Sequence, residues 1–253
     1  MTRTVIVTGG GRGIGRAIAL AFAEPGAHVV ITGRHVAQLD RTAEEIHAKG
    51  AAATALPMDV TDEDMVAHAL GQLHGRVRRV DVLVNNAGVG GGEPVQGSDI
   101  ARWKQTIETN LTGMYLVTRQ VLPLMADGGR IVNLSSVLGR FGVPGYTAYC
   151  ASKHGVIGFT RALALEVVER GITVNAIAPG WVETDMATQG MSQGAAAGRL
   201  SLDDFRALVI GAVPIRRIIQ PEEVAALVRF LCGADAGAIT GQTYNIDGGQ
   251  TMG

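Results

Sequence analysis

The sequence predicts a single α/β domain built on a doubly wound, parallel sheet of seven strands flanked by helices. Three observations carry that expectation. Short, nearly continuous apolar runs alternate along the chain with longer amphipathic stretches, the pattern of strands buried on both faces and of the helices that cover them. A glycine cluster, Thr8-Gly9-Gly10-Gly11-Arg12-Gly13-Ile14-Gly15, follows the first run directly. The chain has 253 residues, 47% of them hydrophobic, with a mean hydropathy of +0.21. That length and composition support one large buried core.

The expected strands are Val5-Ile6-Val7, His28-Val29-Val30-Ile31, Ala53-Thr54-Ala55-Leu56, Val82-Leu83-Val84, Arg130-Ile131-Val132-Asn133 and Thr173-Val174-Asn175-Ala176-Ile177. Gly241-Gln242-Thr243-Tyr244-Asn245-Ile246 is a weaker seventh. The stretches between them read as helices over about 14–24, 36–48, 62–75, 99–125, 148–170 and 221–233. Glu24-Pro25-Gly26 should end the first helix, because proline cannot extend it and glycine caps it. Pro221-Glu222-Glu223 is a good helix start, with proline and acids in the first turn. The segment from Met186 to Gly198 breaks the alternation, with low complexity and few charges. We expect a mobile lid over the substrate near 185–210, within one domain spanning 1–253.

Composition excludes several classes of function. A net charge of -1 and a pI near 6.6 give no basic excess for nucleic acid or an anionic membrane. No stretch approaches the roughly 20 apolar residues of a membrane helix, and the first residues lack a signal-peptide core. Two cysteines, Cys150 and Cys232, form no disulfide framework and fit a reducing, cytoplasmic setting. Cys150 reads as a small helix-packing residue. No metal site is expected.

The glycine cluster opens a helix after a strand, where glycines let the backbone approach a pyrophosphate seated on the helix N-terminus. Its spacing is Gly-xxx-Gly-x-Gly. Asn85-Asn86-Ala87-Gly88 follows the fourth strand, at the sheet edge where open α/β sheets bind ligands. Asp59 ends the third strand and could hold an adenine amine or cap the next helix, although Thr61-Asp62-Glu63-Asp64 offers better caps. The second strand ends Ile31-Thr32-Gly33-Arg34 with no acid. An acid there would suit a ribose hydroxyl, and an arginine suits a 2′-phosphate. Arg34, with Arg12 in the glycine loop, therefore points to NADP(H).

Tyr149 and Lys153 stand four residues apart, on one face of a helix. Only three lysines, at 49, 104 and 153, stand against nineteen arginines in the whole chain. A positive charge beside a phenol lowers its pKa from about 10 and makes it a usable proton donor. Ser135 and Ser136 both lie at a strand end within reach of such a pair.

Together these residues resemble the short-chain dehydrogenase/reductase family over essentially the whole chain. The family pattern is matched at Thr8-Gly9 … Gly13-Ile14-Gly15, Asn85-Asn86-Ala87-Gly88, Asn110, Ser136, Tyr149, Lys153 and Pro179-Gly180 … Thr184. The resemblance implies one Rossmann-type domain, usually a homotetramer. Within the family the chain is most similar to aromatic (type II) polyketide ketoreductases, at Glu108-Thr109-Asn110-Leu111-Thr112-Gly113, Ala151 to Thr160, Pro179 to Thr184, and Val213-Pro214-Ile215-Arg216-Arg217 with Gln220 to Ala225. Those enzymes carry a basic residue and Pro-Gly-Gly after the Asn-Ala-Gly motif. Here the positions read Val89-Gly90-Gly91-Gly92, which speaks against carrier-protein docking and leaves the stereochemical outcome open. It points toward a tailoring reductase acting on a polycyclic intermediate free of carrier protein.

The resemblance implies roles residue by residue. Ser136, chosen over Ser135 by the family's interval to Tyr149, orients a ketone oxygen. Tyr149 donates the proton. Lys153 lowers the Tyr149 pKa and binds the nicotinamide ribose, and Asn110 holds a water for proton resupply. The cofactor set comprises Gly9, Gly11, Arg12, Gly13, Ile14, Arg34, Asp59, Val60, Asn86, Ala87, Gly88, Tyr149, Lys153, Pro179, Gly180, Val182 and Thr184. Val137, Leu138, Phe141, Val143, Tyr146, Met186 and Met191 are candidate substrate walls, apolar as a flat polyketide would require. The implied activity is NADPH-dependent reduction of a small-molecule ketone. Alternatives are a 3-oxoacyl-acyl-carrier-protein reductase, a small-alcohol dehydrogenase and a non-enzymatic NADP(H) sensor. An intact proton-transfer set argues against the sensor.

Overall fold

The computed structural model describes residues 3–73, 75, 77 and 79–251. One parallel sheet runs through it in the order β3-β2-β1-β4-β5-β6-β7. Its strands are β1 (Arg3–Thr8), β2 (Ala27–Gly33), β3 (Ala52–Pro57), β4 (Val80–Asn85), β5 (Met125–Leu134), β6 (Thr173–Pro179) and β7 (Thr243–Ile246). The helices are α1 (Gly13–Ala21), α2 (Val36–Ala48), α3 (Glu63–Gly71), α4 (Ile100–Ile107), α5 (Gly113–Val121), α6 (Thr147–Glu166), α7 (Asp185–Gly198), α8 (Leu202–Ala212) and α9 (Pro221–Leu231). The strand order reverses between β1 and β4, and that switch point opens a crevice at the strand C-termini.

The unbroken apolar runs have a direct cause. Along a strand, alternate side chains face opposite sides of the sheet. Val5 and Val7 pack with Val29, Ile31, Leu39 and Val224 on the side of α1, α2 and α9. Ile6 and Val30 point the other way, to Val66, Val117 and Leu163 of α3, α5 and α6. Both faces are covered, so the central strands are mostly apolar, and the asparagines buried in them are hydrogen-bonded: Asn85 Nδ2 donates to Asn133 Oδ1 at 2.9 Å and Asn133 Nδ2 to Thr160 Oγ1 at 3.0 Å. Each such side chain, fully buried, contributes about 1.5–3 kcal/mol.

Three expectations are corrected. The helix expected over 99–125 is divided into α4, a π-helical turn at Glu108–Thr112, α5 and a short 3-10 turn, Leu122–Leu124. β5 then begins at Met125, ahead of the apolar residues that announced it. The first helix ends at Ala21, before Glu24-Pro25-Gly26. The low-complexity segment is helix α7. Thr184 caps it by accepting from the Ala187 N–H at 3.2 Å, and Ala195–Ala197 favour the helix. Met191 is buried with Val209 and Ile218 where α7 packs on α8. At α9, the Gln220–Glu223 capping box confirms the start read from the acids and proline.

Candidate active site

The glycine loop ends β1 and opens α1. A Cβ on Gly15 would fall against the Gly9 carbonyl oxygen, so only glycine lets the helix start this close to the strand. Gly13 has φ +51, a conformation that disfavours side chains. Asn86 fastens this loop to the end of β4. Its Nδ2 donates to the Thr8 and Gly9 carbonyls at 2.9 and 3.3 Å. The Thr8 hydroxyl accepts from the Asn86 and Ala87 N–H groups, each at 3.0 Å. Asn86 therefore shapes the loop from beneath.

All the residues expected to hold the cofactor except Gly180 and Val182 line one cleft of about 210 Å³. Gly180 is a packing residue, since a Cβ there would lie 2.9 Å from the Asp247 Cβ. The Val182 side chain is in the core, and the bridge to Ile219 uses the Trp181 carbonyl and the Glu183 N–H. That bridge takes neither main-chain polar group of Val182. Thr32, Gly33, His35 and Gln38 also line the cleft. Their signal in the sequence was proximity to Arg34, with Gln38 one helical turn beyond it.

Across the outer end of the cleft, Arg34 Nη1 lies 3.6 Å from Asp59 Oδ2. Asp59 Oδ1 accepts from the Thr61 N–H and hydroxyl at 3.0 and 2.9 Å. Burial pushes the Asp59 pKa up, but the Thr61 hydrogen bonds and the Arg34 charge outweigh it and hold the carboxyl below its usual range. The cap of α3 is Asp62, which accepts from the Met65 N–H at 2.9 Å.

At the inner end, α6 presents Tyr149 and Lys153. Lys153 is buried, and its Nζ donates to the Leu134 carbonyl at 2.8 Å. Desolvation lowers its pKa to about 8. Nζ lies 5.7 Å from the centre of the Tyr149 ring. Desolvation raises the Tyr149 pKa, and a hydrogen bond with Ser136 acts in the opposite direction. The expected lowering of the phenol pKa by Lys153 is therefore not met in the protein by itself, where burial dominates and the ammonium is engaged at Leu134.

The two serines divide cleanly. Ser135 Oγ donates to the Lys153 carbonyl at 2.9 Å, whereas Ser136 meets Tyr149. Asn110 sits in the π-helical turn, a feature frequent at functional sites. Its Oδ1 accepts from the Val89 N–H at 2.8 Å, and its Nδ2 donates to the Val89 carbonyl and the Ser152 hydroxyl at 3.0 and 3.1 Å. Thr109, beside it, reaches the cleft lining.

The expected substrate walls separate. Met186 lines the cleft, and Tyr146 packs on Gly92. Leu138 and Val143 are half-buried and Phe141 is exposed. Val137 is buried. Met191 faces Val209 and Ile218 instead of the cleft, because it is the residue that seats α7 on α8.

A dinucleotide-type cleft that ends in a hydroxyl pair and a buried lysine defines an oxidoreductase. Comparison with known proteins is specific. The family model described as enoyl-(acyl carrier protein) reductase matches residues 9–251. A 3-oxoacyl-[acyl-carrier-protein] reductase of Synechocystis sp. is 40% identical, covering 99% of this chain and 97% of its own. A crystal structure of a variant actinorhodin polyketide ketoreductase with NADPH superposes with a TM-score of 0.94 at 40% identity, over 98% of this chain and 97% of that one. Levodione reductase gives 0.92 at 34% identity, with the same coverage. The chain belongs to the short-chain dehydrogenase/reductase family, and it is a ketoreductase of that family.

Proposed function

We propose that the protein uses NADPH to reduce a ketone on a polycyclic aromatic polyketide intermediate. The observation that carries the chemistry is the contact of Ser136 with Tyr149, which lines the inner end of a cleft whose outer end holds Arg34. The glycine loop fits a pyrophosphate, because Gly15 lets α1 begin close against the end of β1, with the helix N-terminus lining the cleft. Arg34 and Arg12 suit a 2′-phosphate, and the orphaned, buried Thr32 hydroxyl in the same lining leaves a polar group for the nucleotide. When bound, NADPH supplies the hydride.

The chain supplies the rest. Ser136 donates to the ketone oxygen and orients it. Tyr149 gives its proton to that oxygen as alkoxide charge develops. Desolvation keeps the phenol protonated until then, and Lys153, swinging from the Leu134 carbonyl, stabilises the phenolate left behind. Lys153 also takes the nicotinamide ribose, and the Val182 main chain with Thr184 takes the carboxamide. Asn110 holds Val89 and Ser152 in place. With its side chain so engaged, the relay water falls to its main chain in the widened π turn. The α7–α8 pair is the lid, closing over the substrate with Met186. The proposed assembly is a homotetramer.

The polyketide substrate is supported by the actinorhodin ketoreductase neighbour. The second reading, reduction of a 3-oxoacyl group on a carrier protein, is supported by the Synechocystis relative. NADPH oxidation measured with a polycyclic ketone and with a 3-oxoacyl thioester decides between them. A higher kcat/KM for the polycyclic ketone is expected; preference for the thioester would replace this reading with the second.

A further inference from the structure

Val89 lines the nucleotide cleft and is held by Asn110, but Gly90-Gly91-Gly92 beyond it is absorbed neither by the cleft nor by the proton-transfer set. The stretch leaves the cleft at Gly88, where a Cβ would lie 3.1 Å from Asn110 Oδ1 and 3.7 Å from Lys153 Nζ. It runs outward to Gly92, where a Cβ would meet the Tyr146 ring at 2.8 Å. Between them, a Cβ on Gly90 would stand 3.2 Å from the Met186 sulfur. Gly91 has φ +115, a backbone conformation that a side chain would strain. Each glycine thus makes room for a side chain brought by another element.

At Gly91 the incoming groups are polar. A Cβ there would stand 2.5 Å from Arg102 Nη2 of α4 and 3.7 Å from Gln193 Oε1 of α7. Gln193 Oε1 is buried and accepts no hydrogen bond. Unlike Arg206 and Arg217, the Arg102 guanidinium has no carboxylate partner among the described residues. Buried acceptors are paired in the great majority of cases, and an exception calls for an explanation. One oxygen that both donates and accepts would complete this pair, giving its proton to Gln193 and accepting from Arg102. The guanidinium favours an acidic oxygen, because hydrogen bonds from a charged donor are the stronger ones.

We propose that Arg102 and Gln193 form a second substrate subsite that reads a phenolic or enolic hydroxyl remote from the ketone. The inference rests on the ketoreductase reading and narrows it to oxygen-rich ketones. Gly91 lies three Cα steps beyond Gly88, a reach of at most about 11 Å, so the hydroxyl lies within one or two ring widths of the Lys153 end. A simple alkyl ketone or a small alcohol has nothing to place there.

The test uses the full chain saturated with NADP+, and compares binding of tetralone with that of its ring-hydroxylated, phenolic analogue by calorimetry. The unmodified protein should bind the phenol more tightly. Gln193→Met and Arg102→Met, on different helices, should each reduce the preference ratio about tenfold, the scale of one net hydrogen bond. NADP+ affinity, measured in parallel, reports correct folding. No preference in the unmodified protein overturns the subsite. Equal weakening of both ketones by the variants also overturns it, leaving a latch between α4 and α7. A preference that the variants remove, without any NADPH oxidation by either ketone, supports the subsite and removes the polycyclic-ketone reading.

Discussion

Ser135 Oγ donates to the backbone carbonyl of Lys153 at 2.9 Å. Ser135 lines the cleft, but its hydroxyl is thereby engaged on α6, and its neighbour is left against the Tyr149 phenol. Adjacent residues of an extended chain point to opposite sides, so one serine holds the end of β5 to α6 while the other meets the Tyr149 phenol.

Ser136→Ala and Ser135→Ala should accordingly differ in kind. Loss of one donor to a developing oxyanion costs about 10²–10³ in kcat, and Ser136→Ala is expected to fall in that range with folding intact. Ser135→Ala removes a buried hydrogen bond worth about 1 kcal/mol, lowering thermal stability while most of kcat/KM survives. Steady-state kinetics beside a melting curve for each variant distinguishes them. A kinetic defect larger in Ser135→Ala would reverse the assignment.

Tyr149→Phe keeps the ring and removes the acid. NADPH binding should stay within a few-fold, because the contacts of the glycine loop and Arg34 lie elsewhere in the cleft. Turnover should drop by at least the roughly 10²–10⁴ that a positioned general acid contributes. Fluorescence titration of NADPH and single-turnover reduction together measure both. Undiminished ketone reduction by this variant would falsify the proton-transfer scheme.

The central strands and the ligand edge were legible because burial on both faces leaves an unambiguous run such as Val5-Ile6-Val7, whereas half-buried β7 gave only a weaker signal. The proposed proton-transfer pair was legible because helical spacing alone brings Tyr149 and Lys153 to one face of α6. The π turn at Glu108–Thr112 was not, since nothing in Glu-Thr-Asn-Leu-Thr distinguishes it from a regular helix before Asn110 finds Val89. Helix α7 was hidden by its glycines and serines, and it is seated only by the tertiary burial of Met191 on α8. The same contact removed Met191 from the substrate walls. The Lys153 partner was invisible for a similar reason. A backbone carbonyl such as that of Leu134 carries no sequence signal, and it decides where the ammonium rests.

That position has a pH consequence. Burial lowers the Lys153 pKa from its ordinary 10.5 to about 8. Between those values the unfolded chain binds more protons than the folded one, so stability rises with pH. At neutral pH the buried charge opposes folding, by on the order of 3 kcal/mol if 1.36 kcal/mol per pKa unit applies in full. Tyr149 acts oppositely: its raised pKa costs stability only as the unfolded phenol ionises near 10. The readable window is therefore pH 8 to about 9.5. In the protein without NADPH, Lys153→Met should be more stable than the unmodified chain at pH 7, with the gap narrowing across that window. Denaturant midpoints for the two proteins at matched pH measure it. A gap that does not change with pH would show that the folded lysine titrates normally.

The outer end of the cleft is the proposed place of cofactor choice, and there the Arg34–Asp59 pair holds opposing groups 3.6 Å apart. A 2′-phosphate entering beside Arg34 gains a bidentate donor but meets the Asp59 carboxylate, which is kept ionised by Thr61 and by Arg34 itself. Arg34→Asp removes the donor and adds a second acid, which repels the 2′-phosphate and offers a ribose hydroxyl an acceptor. The ratio of kcat/KM for NADPH over NADH should fall by about 10², combining a lost charge-assisted hydrogen bond with a new repulsion. Asp59→Asn should move the same ratio the other way, by less than tenfold, since it relieves the repulsion and leaves Arg34 free for the phosphate. Kinetics with both cofactors on the three proteins carry the test. NADH already preferred by the unmodified chain, or a ratio unmoved by Arg34→Asp, would place the discriminating contact away from Arg34.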